Sequence, residues 1–163
     1  MLQTERLLLR LPGADCAALY ERFYTDAEAS CFYGGPLTPA NAWARLAFDR
    51  GVWELQGFGV WVLQRRADAA LLGVCGFWQG LGWPRELTWW LLPEARGQGL
   101  AQEASQAAIA HAREVWAWPE VETYCADDNL AARGLIERLG GVKVRRQTFP
   151  DGCERDVFRL AAA

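Results

Sequence analysis

Several patterns that define common protein classes are scarce or missing in this 163-residue sequence. It has a single histidine, His111, which argues against histidine-dependent catalytic triads and multi-histidine metal sites, so we expect no bound metal. Its five cysteines are scattered and form no Cys-x-x-Cys pair, which favours reduced thiols over a disulfide framework. No apolar run approaches the roughly 20 residues that span a bilayer, and the first residues do not resemble a signal peptide. We therefore expect a cytoplasmic protein without a membrane partner.

A strong charge of one sign is also lacking. The formal net charge is −3, so the chain has no basic field to attract a phosphate backbone, and we expect no nucleic-acid partner. The sequence is 52% hydrophobic and contains nine tryptophans, which is typical of a compact globular protein. Its length fits one domain, residues 1–163, with one sizeable core.

The order of apolar and turn patterns predicts a mixed α/β sheet. Three consecutive antiparallel strands lead into a glycine-rich turn, and the strand after the following helix should lie parallel to the strand that ends at Leu92 because a crossover joins them. Asp15 is a candidate cap for the first helix, and Thr38 with Pro39 should open the second, which we expect to end before Gly51. Predicted strands cover residues 7–11, 58–64, 71–78, 85–92, 121–126, 142–149 and 153–160, and predicted helices cover 17–23, 38–50, 97–116 and 130–139.

The glycine-rich turn at residues 96–101 is the strongest candidate binding site. A helix must begin near Gly97, after the apolar strand stops at Pro93, and the first N–H groups of a helix have no intrahelical partner. The helix dipole adds partial positive charge there, and Gly97 and Gly99 let the backbone approach a ligand closely. With Arg96 beside them, these residues predict a phosphate or pyrophosphate site.

Three kinds of phosphate-binding turn compete for this stretch. A P-loop requires a lysine and a hydroxyl residue after the second glycine, and neither follows Gly99. A dinucleotide fingerprint requires a small residue where Gln102 stands and a parallel sheet around it, although Glu120 and Glu122 are spaced suitably for a ribose contact. The third is the turn Arg/Gln-x-x-Gly-x-Gly/Ala, present as Arg96-Gly97-Gln98-Gly99-Leu100-Ala101.

In this third turn, together with Asn129-Leu130-Ala131-Ala132 and Leu139-Gly140, the chain resembles the GNAT superfamily of acetyl-CoA-dependent N-acetyltransferases. The opening Thr4-Glu5-Arg6-Leu7-Leu8-Leu9-Arg10 makes it look most like the branch that acts on ribosomal-protein N-termini. The resemblance runs from about Leu2 to Leu160. It implies an α+β fold with a mostly antiparallel sheet, flanking helices and a central pair of parallel strands that splay apart after a bulge.

The resemblance also implies acetyl-CoA as the cofactor and a set of residues that bind it. Backbone groups of Leu91 and Leu92 would bond the pantetheine amides. Asn129 would bond the pantetheine or adenylate end, although a plain helix N-cap is an equally good interpretation. The remaining cofactor-binding candidates form the turn that holds the pyrophosphate: Arg96, Gly97, Gln98, Gly99, Leu100 and Ala101.

Acetyl transfer to an amine needs a base and an oxyanion donor. Glu86, on the central strand, is our candidate base, with Thr88 on the same strand face as a possible holder of a relaying water; the alternative is that Glu86 lies in solvent or pairs with Arg85 or Arg66. An N–H near Leu91 or Leu92, freed by a bulge, is the candidate oxyanion donor.

The general acid is where the sequence departs from its relatives, which commonly place Tyr seven residues or Ser three residues after the asparagine. Ile136 and Ala132 occupy those positions here, and neither can donate a proton. Tyr124 and Cys125 are substitutes in the neighbourhood, or the thiolate could leave unprotonated. This departure also allows a non-catalytic module that binds coenzyme A as a sensor or assembly part.

The sequence does not identify the substrate that accepts the acetyl group. A primary amine, either a small molecule or a peptide N-terminus, would enter a groove formed by the loop 33–38, the strand bearing Glu86 and the last hairpin. A plain connector is the favoured alternative interpretation of this loop. A homodimer is possible.

Overall fold

The computed structural model describes residues 1–160 and places eight strands and four α-helices in them. The strands are β1 Leu2–Gln3, β2 Leu7–Arg10, β3 Val60–Arg65, β4 Leu71–Trp78, β5 Glu86–Leu91, β6 Val121–Cys125, β7 Val142–Thr148 and β8 Glu154–Leu160. The helices are α1 Ala17–Thr25, α2 Pro39–Gln56, α3 Leu100–Glu114 and α4 Leu130–Arg138.

The strands form two sheets rather than one continuous sheet. A five-stranded antiparallel sheet has the order β1-β2-β3-β4-β5, and a three-stranded antiparallel sheet has the order β6-β8-β7. β5 and β6 are neighbours, but no backbone ladder joins them in residues 1–160. Arg85 directly precedes β5, and Trp118 lies shortly before β6. The Arg85 guanidinium carbon is 3.4 Å from the centre of the Trp118 ring, so the two strands begin at the same end and run in the same direction, as a crossover connection requires.

The two faces of the five-stranded sheet bury two different groups of side chains. Successive residues of a strand point to opposite faces, so Leu87 and Leu91 join the core beneath α3, whereas Trp90 joins the core beneath α1. Trp90 stacks on Phe23 of α1 with ring centroids 4.0 Å apart. Trp89 packs against the core beneath α3, so Trp89 and Trp90 lie on opposite faces of the sheet.

The second helix is longer than its sequence pattern indicates. Thr38 caps it by accepting the Asn41 N–H at 3.3 Å, as expected, but α2 continues through Gly51 to Gln56 and ends at Gly57 with φ of 74°. The prediction that it ends before Gly51 is wrong because the last turn is tied to the sheet: Trp53 Nε1 donates to the Val60 carbonyl at 2.8 Å. That contact offsets the roughly 1 kcal/mol cost of a helical glycine.

The first helix is not capped by Asp15. A short 3-10 turn, Ala14–Cys16, precedes α1, and no side chain caps either element. The Asp15 carboxylate instead forms an ion pair with Arg10 at 2.5 Å. The helix is held by tertiary packing, since Tyr20 and Phe23 are fully buried.

Candidate active site

A cleft of about 620 Å³ opens where β5 and β6 separate. One wall is β5 from Glu86 to Trp90, and the facing wall is the end of β6 together with Asn129 and Ala132 of the next helix. The loop between α1 and α2, with Tyr33, closes one side, and the turn between β7 and β8 contributes Asp151. Tyr33 and Gly34 line the cleft, which favours the groove over a plain connector as the role of this part of the loop 33–38.

The register of β5 decides which of its backbone groups face the cleft. Leu92 N–H donates to the Leu72 carbonyl at 2.8 Å, and residues of an antiparallel pair alternate between bonding across the ladder and facing away from it. The polar groups of Leu87, Trp89 and Leu91 therefore face away from β4. Three contacts on the cleft side agree: the Leu87 carbonyl accepts Thr123 Oγ1 at 2.8 Å, the Trp89 carbonyl accepts the Tyr33 hydroxyl, and the Leu91 carbonyl accepts Arg96 Nε at 3.1 Å.

This geometry corrects the role expected for Leu92. Its N–H is bonded to Leu72, and its carbonyl accepts the Ala95 N–H at 2.9 Å, so neither group is free for a ligand. The N–H groups of Trp89 and Leu91 face away from β4 and have no acceptor in the described residues, and Trp89 lines the cleft. The expected bulge is also absent from β5, which pairs with β4 in unbroken register from Glu86 to Leu91. The free N–H groups come from the alternation of the ladder, and no bulge is needed.

The glycine-rich turn presents a row of unused backbone donors. In the part of the chain that the structure describes, the N–H groups of residues 97 through 102 have no acceptor, and the first helical bond of α3 is from Glu103 N–H to the Gly99 carbonyl at 3.0 Å. Gly97 and Gly99 adopt φ of 73° and 74°, a left-handed conformation that L side chains rarely adopt. Consecutive free N–H groups in such a turn form a concave anion site, strengthened by the dipole of α3.

The arginine at the mouth of this turn is Arg6, not Arg96. Arg96 points inward, where Nε donates to Leu91 and Nη2 to the Ala29 carbonyl at 3.4 Å. Arg6 reaches the turn from the N-terminal segment: Nη1 donates to the Gln98 carbonyl at 2.8 Å, and Nε pairs with Glu103 at 2.6 Å. The sequence displays both Arg6 and Glu103 in motifs, but their contact, 97 residues apart, is visible only in the fold.

The other cofactor-binding candidates surround the turn and the cleft. Gln98 turns its side chain back to the Glu94 carbonyl at 2.9 Å, so it contributes backbone only. Leu100 is buried and Ala101 is half-buried in the first turn of α3. Asn129 is a helix N-cap, because its Oδ1 accepts the Ala132 N–H at 3.1 Å, and it lines the cleft as well. Its amide NH₂ has no partner in the described residues and is the end available to a ligand.

Glu86 lies in the cleft, half-buried, and pairs with neither of the arginines considered from the sequence. Arg85 stacks on Trp118, and Arg66 donates to the Thr4 and Glu5 carbonyls. Burial raises the pKa of the Glu86 carboxyl to about 8, although a hydrogen bond from Tyr124 and the charge of Arg155 act in the opposite direction. A carboxyl with this pKa exchanges protons near neutral pH, as a general base must.

Two hydroxyl groups flank this carboxyl. Tyr124 stacks on Trp83, and its hydroxyl faces Glu86 and makes a long contact of 3.5 Å to the Pro84 carbonyl. The sequence places Tyr33 only in the loop that borders the acceptor groove and assigns it no chemical role, yet its hydroxyl donates to the Trp89 carbonyl inside the cleft. Burial, reinforced by the nearby Glu86 carboxylate, raises the pKa of both hydroxyls, so both keep their protons at neutral pH.

The remaining acid candidates offer less. Cys125 lines the cleft at the end of β6, and burial raises the pKa of its thiol. Ala132 lines the cleft without a polar group, and Ile136 is fully buried in the core beneath α3.

All five cysteines are free thiols. None of the helices in residues 1–160 combines the length and apolar character that a membrane span requires.

Comparison with solved structures shows the same fold in bacterial acetyltransferases. The chain is 27% identical to an acetyltransferase from Agrobacterium tumefaciens, with a TM-score of 0.88 over 98% of this chain and 93% of the other. A GNAT-family protein from Bordetella pertussis is also 27% identical, with a TM-score of 0.81 and 98% of each chain covered. RimL, the ribosomal L7/L12 alpha-N-protein acetyltransferase, solved in complex with coenzyme A, is 13% identical, with a TM-score of 0.76 over 96% of this chain and 94% of the other.

The RimL match agrees with the branch that the sequence resembles, and at this identity it shows a shared fold. The model of the acetyltransferase (GNAT) domain matches residues 6–142, which include β5, the glycine-rich turn and Asn129. The resemblance drawn from the turn and the asparagine helix is therefore confirmed: the chain belongs to the GNAT family of acetyltransferases.

Proposed function

We propose that this protein transfers an acetyl group from acetyl-CoA to a primary amine by direct attack in a ternary complex. The observation that carries the proposal is the order of three features along β5 and the glycine-rich turn that follows it. Unused N–H groups at residues 97–102 lie at one end, the outward N–H groups of Leu91 and Trp89 follow, and Glu86 lies beyond them. Bound acetyl-CoA would supply a thioester whose carbonyl carbon accepts the amine.

Groups of this chain suit the pyrophosphate, the pantetheine arm and the acetyl oxygen of the cofactor. The turn 97–102 is an anion site for the pyrophosphate, and Arg6 adds a guanidinium charge at its mouth. The N–H of Leu91 would bond the pantetheine arm alongside β5, as an added strand would be bonded. The N–H of Trp89, one ladder step closer to Glu86, is our candidate oxyanion donor in place of the N–H of Leu91 or Leu92.

The proton balance assigns roles to the groups around the reacting atoms. Glu86, ionised, takes the proton that the amine loses as the N–C bond forms, directly or through a water held at Thr88. As the C–S bond breaks, the thiolate receives a proton from the hydroxyl of Tyr33 or Tyr124. These hydroxyls supply the acid that is missing at Ala132 and Ile136.

Calorimetry with acetyl-CoA and NAD side by side tests the cofactor assignment. We expect sub-millimolar binding of acetyl-CoA and none of NAD, and absence of acetyl-CoA binding would overturn the proposal. Release of free thiol in the presence of a panel of amines and peptide N-termini tests the transfer. A blank across the panel with intact acetyl-CoA binding would favour a sensor over an enzyme.

The acceptor panel should include both small amines and short peptides. The structural neighbour RimL acts on ribosomal L7/L12. For this chain a peptide N-terminus and a small amine are both chemically suitable, since Glu86 requires only a primary amine within reach. Dimer formation is a further proposal that sedimentation analysis would test.

A further inference from the structure

The acceptor side of the cleft contains an arginine whose hydrogen-bond donors are unused. Arg45, on α2, is half-buried and lines the same cleft as Glu86 and Trp90. Its guanidinium carbon lies 5.5 Å from the centre of the Tyr24 ring, and Nη2 lies 3.8 Å from the position of a Cβ on Gly34. In residues 1–160 it makes neither an ion pair nor a hydrogen bond.

The obvious partner for Arg45 is turned elsewhere. Asp49 lies one helical turn later on the same face of α2, a spacing at which arginine and aspartate commonly pair. Its carboxylate is buried and accepts the Tyr20 hydroxyl at 2.7 Å, and no ion pair joins it to Arg45. Burial raises the pKa of Asp49 to about 6, since the opposing effects of the Tyr20 hydrogen bond and the Arg45 charge are smaller. Arg45 therefore keeps its donors for the cleft.

The second arginine of the cleft is neutralised within the chain. Arg155 binds both carboxylate oxygens of Asp151, at 2.9 and 2.6 Å, and packs over the Phe149 ring. A ligand anion would compete with Asp151 there. Among the described residues of the cleft, Arg45 is thus the cation with its planar donor group free. The cleft also contains the carboxyl groups of Asp49, Glu86 and Asp151, of which Asp49 bonds Tyr20 and Asp151 pairs with Arg155.

We infer that Arg45 recognises an anionic group on the acceptor, so that the preferred substrate is a small primary amine carrying a carboxylate or a phosphate. A guanidinium binds either group through paired hydrogen bonds, and partial burial strengthens this attraction relative to bulk water. The inference rests on the proposed function, because it places the amine at Glu86 and the anion at α2.

Turnover with matched acceptor pairs tests this inference. Free amino acids would be compared with their carboxamides, and O-phosphoethanolamine with ethanolamine, which separates carboxylate from phosphate. For at least one pair we expect kcat/KM to be about tenfold higher for the anionic member, mainly through KM. Arg45→Met should bring that pair within about threefold, whereas Arg50→Met, on the exposed face of the same helix, should leave the preference intact. Equal turnover of all pairs, or an unchanged preference in Arg45→Met, would overturn the inference.

A binding measurement keeps this inference separate from the proposed catalysis. The N-acetylated amino acids, their amides and the two N-acetylated ethanolamines would be titrated into the protein by calorimetry, with and without coenzyme A. We expect an anionic product to bind about tenfold more tightly than its neutral partner in the wild type and Arg50→Met, but not in Arg45→Met. This result would support the anion site even if no turnover occurred. A panel in which no anionic product binds more tightly than its neutral partner would contradict it.

Discussion

The Tyr33 hydroxyl donates a hydrogen bond to the Trp89 carbonyl, which joins the loop between α1 and α2 to the strand that borders the cleft. This contact places a protonated hydroxyl beside the proposed thioester site, where the sequence has no acid on α4. Because the Trp89 carbonyl faces the cleft, this hydrogen bond links the loop directly to β5, the strand along which we propose that the cofactor binds.

Replacing this hydroxyl should slow the chemical step. We expect Tyr33→Phe to lower kcat by roughly tenfold or more, because general acids contribute factors of that size or larger. The affinity for acetyl-CoA should change by less than about threefold, since the N–H of Trp89 remains in place. Steady-state kinetics with calorimetry separates the two effects. If Tyr124→Phe lowers kcat and Tyr33→Phe does not, the acid is Tyr124.

Removing the proposed base should change both the rate and its pH dependence. Because the pKa of Glu86 is raised to about 8, its carboxyl is largely protonated below that pH and cannot accept the amine proton. Wild-type kcat should therefore rise as the pH increases through 8. Glu86→Gln should lower kcat about 100-fold and abolish that rise, while acetyl-CoA affinity is unchanged. Glu54→Gln, at an exposed position on α2, is the matched control. An unchanged rate in Glu86→Gln would exclude this carboxyl as the base.

The same carboxyl should make stability depend on pH. The folded pKa is raised above the ordinary value of 4.5, so the favourable contribution of the protonated form is complete below 4.5 and is lost as the pH rises through about 8. Glutamine does not titrate. Relative to Glu86→Gln, the wild type should lose at least about 2 °C of melting temperature between pH 5 and pH 9. Differential scanning fluorimetry measures the melting temperature of both proteins at each pH. The same change of melting temperature with pH in the wild type and in Glu86→Gln would contradict the burial of Glu86.

A side chain at Gly99 should disrupt the anion site. Gly99 has φ of 74°, and valine is strongly disfavoured there, so Gly99→Val should rearrange the turn and weaken acetyl-CoA binding by at least about tenfold. Gly152→Val is the control, since Gly152 has φ of 79° in the β7–β8 turn and a Cβ there would meet no atom within 4 Å. Calorimetry distinguishes them. Equal affinity losses in both variants would indicate a general effect of backbone strain.

The two arginines near the turn should have different effects on cofactor binding. Arg6→Met removes the charge at the mouth of the anion site, so it should weaken acetyl-CoA binding about tenfold and leave acetyl-pantetheine, which lacks the phosphates, unaffected. Arg96→Met removes contacts to Leu91 and Ala29 and should act on both ligands alike. A larger selective loss in Arg96→Met than in Arg6→Met would reverse the assignment.

Local sequence signals predicted the parts of the site that depend on neighbours in the chain. The glycine-rich turn followed from the strand that ends before Pro93 and the helix behind Gly99, and the N-cap at Asn129 followed from its place before α4. The antiparallel meander and the final hairpin followed from alternating apolar residues and their turns. These features are set within a few residues, and tertiary contacts did not override them.

The incorrect or missed residues depend on contacts across the fold. The expected donors are the N–H groups of Leu91 or Leu92, because the sequence does not reveal whether odd or even residues of β5 bond to β4. The hydrogen bond from the Leu92 N–H to the Leu72 carbonyl shows that the even residues do. The sequence places Arg96 in the turn and so predicts that it binds phosphate. Its side chain instead points into the protein and donates to the carbonyls of Leu91 and Ala29. Arg6 is distant in sequence, so no local pattern could assign it to the turn.

The alternation along β5 also separates two kinds of recognition within one strand. In the proposed function, the cofactor bonds to main-chain N–H groups of Trp89 and Leu91, which every residue except proline possesses, whereas the acceptor meets the side chains of Glu86 and Thr88. Substitutions at Glu86 or Thr88 would then change acceptor recognition without removing a proposed cofactor contact. A strand of this design would let the acceptor change while the acyl donor stays the same.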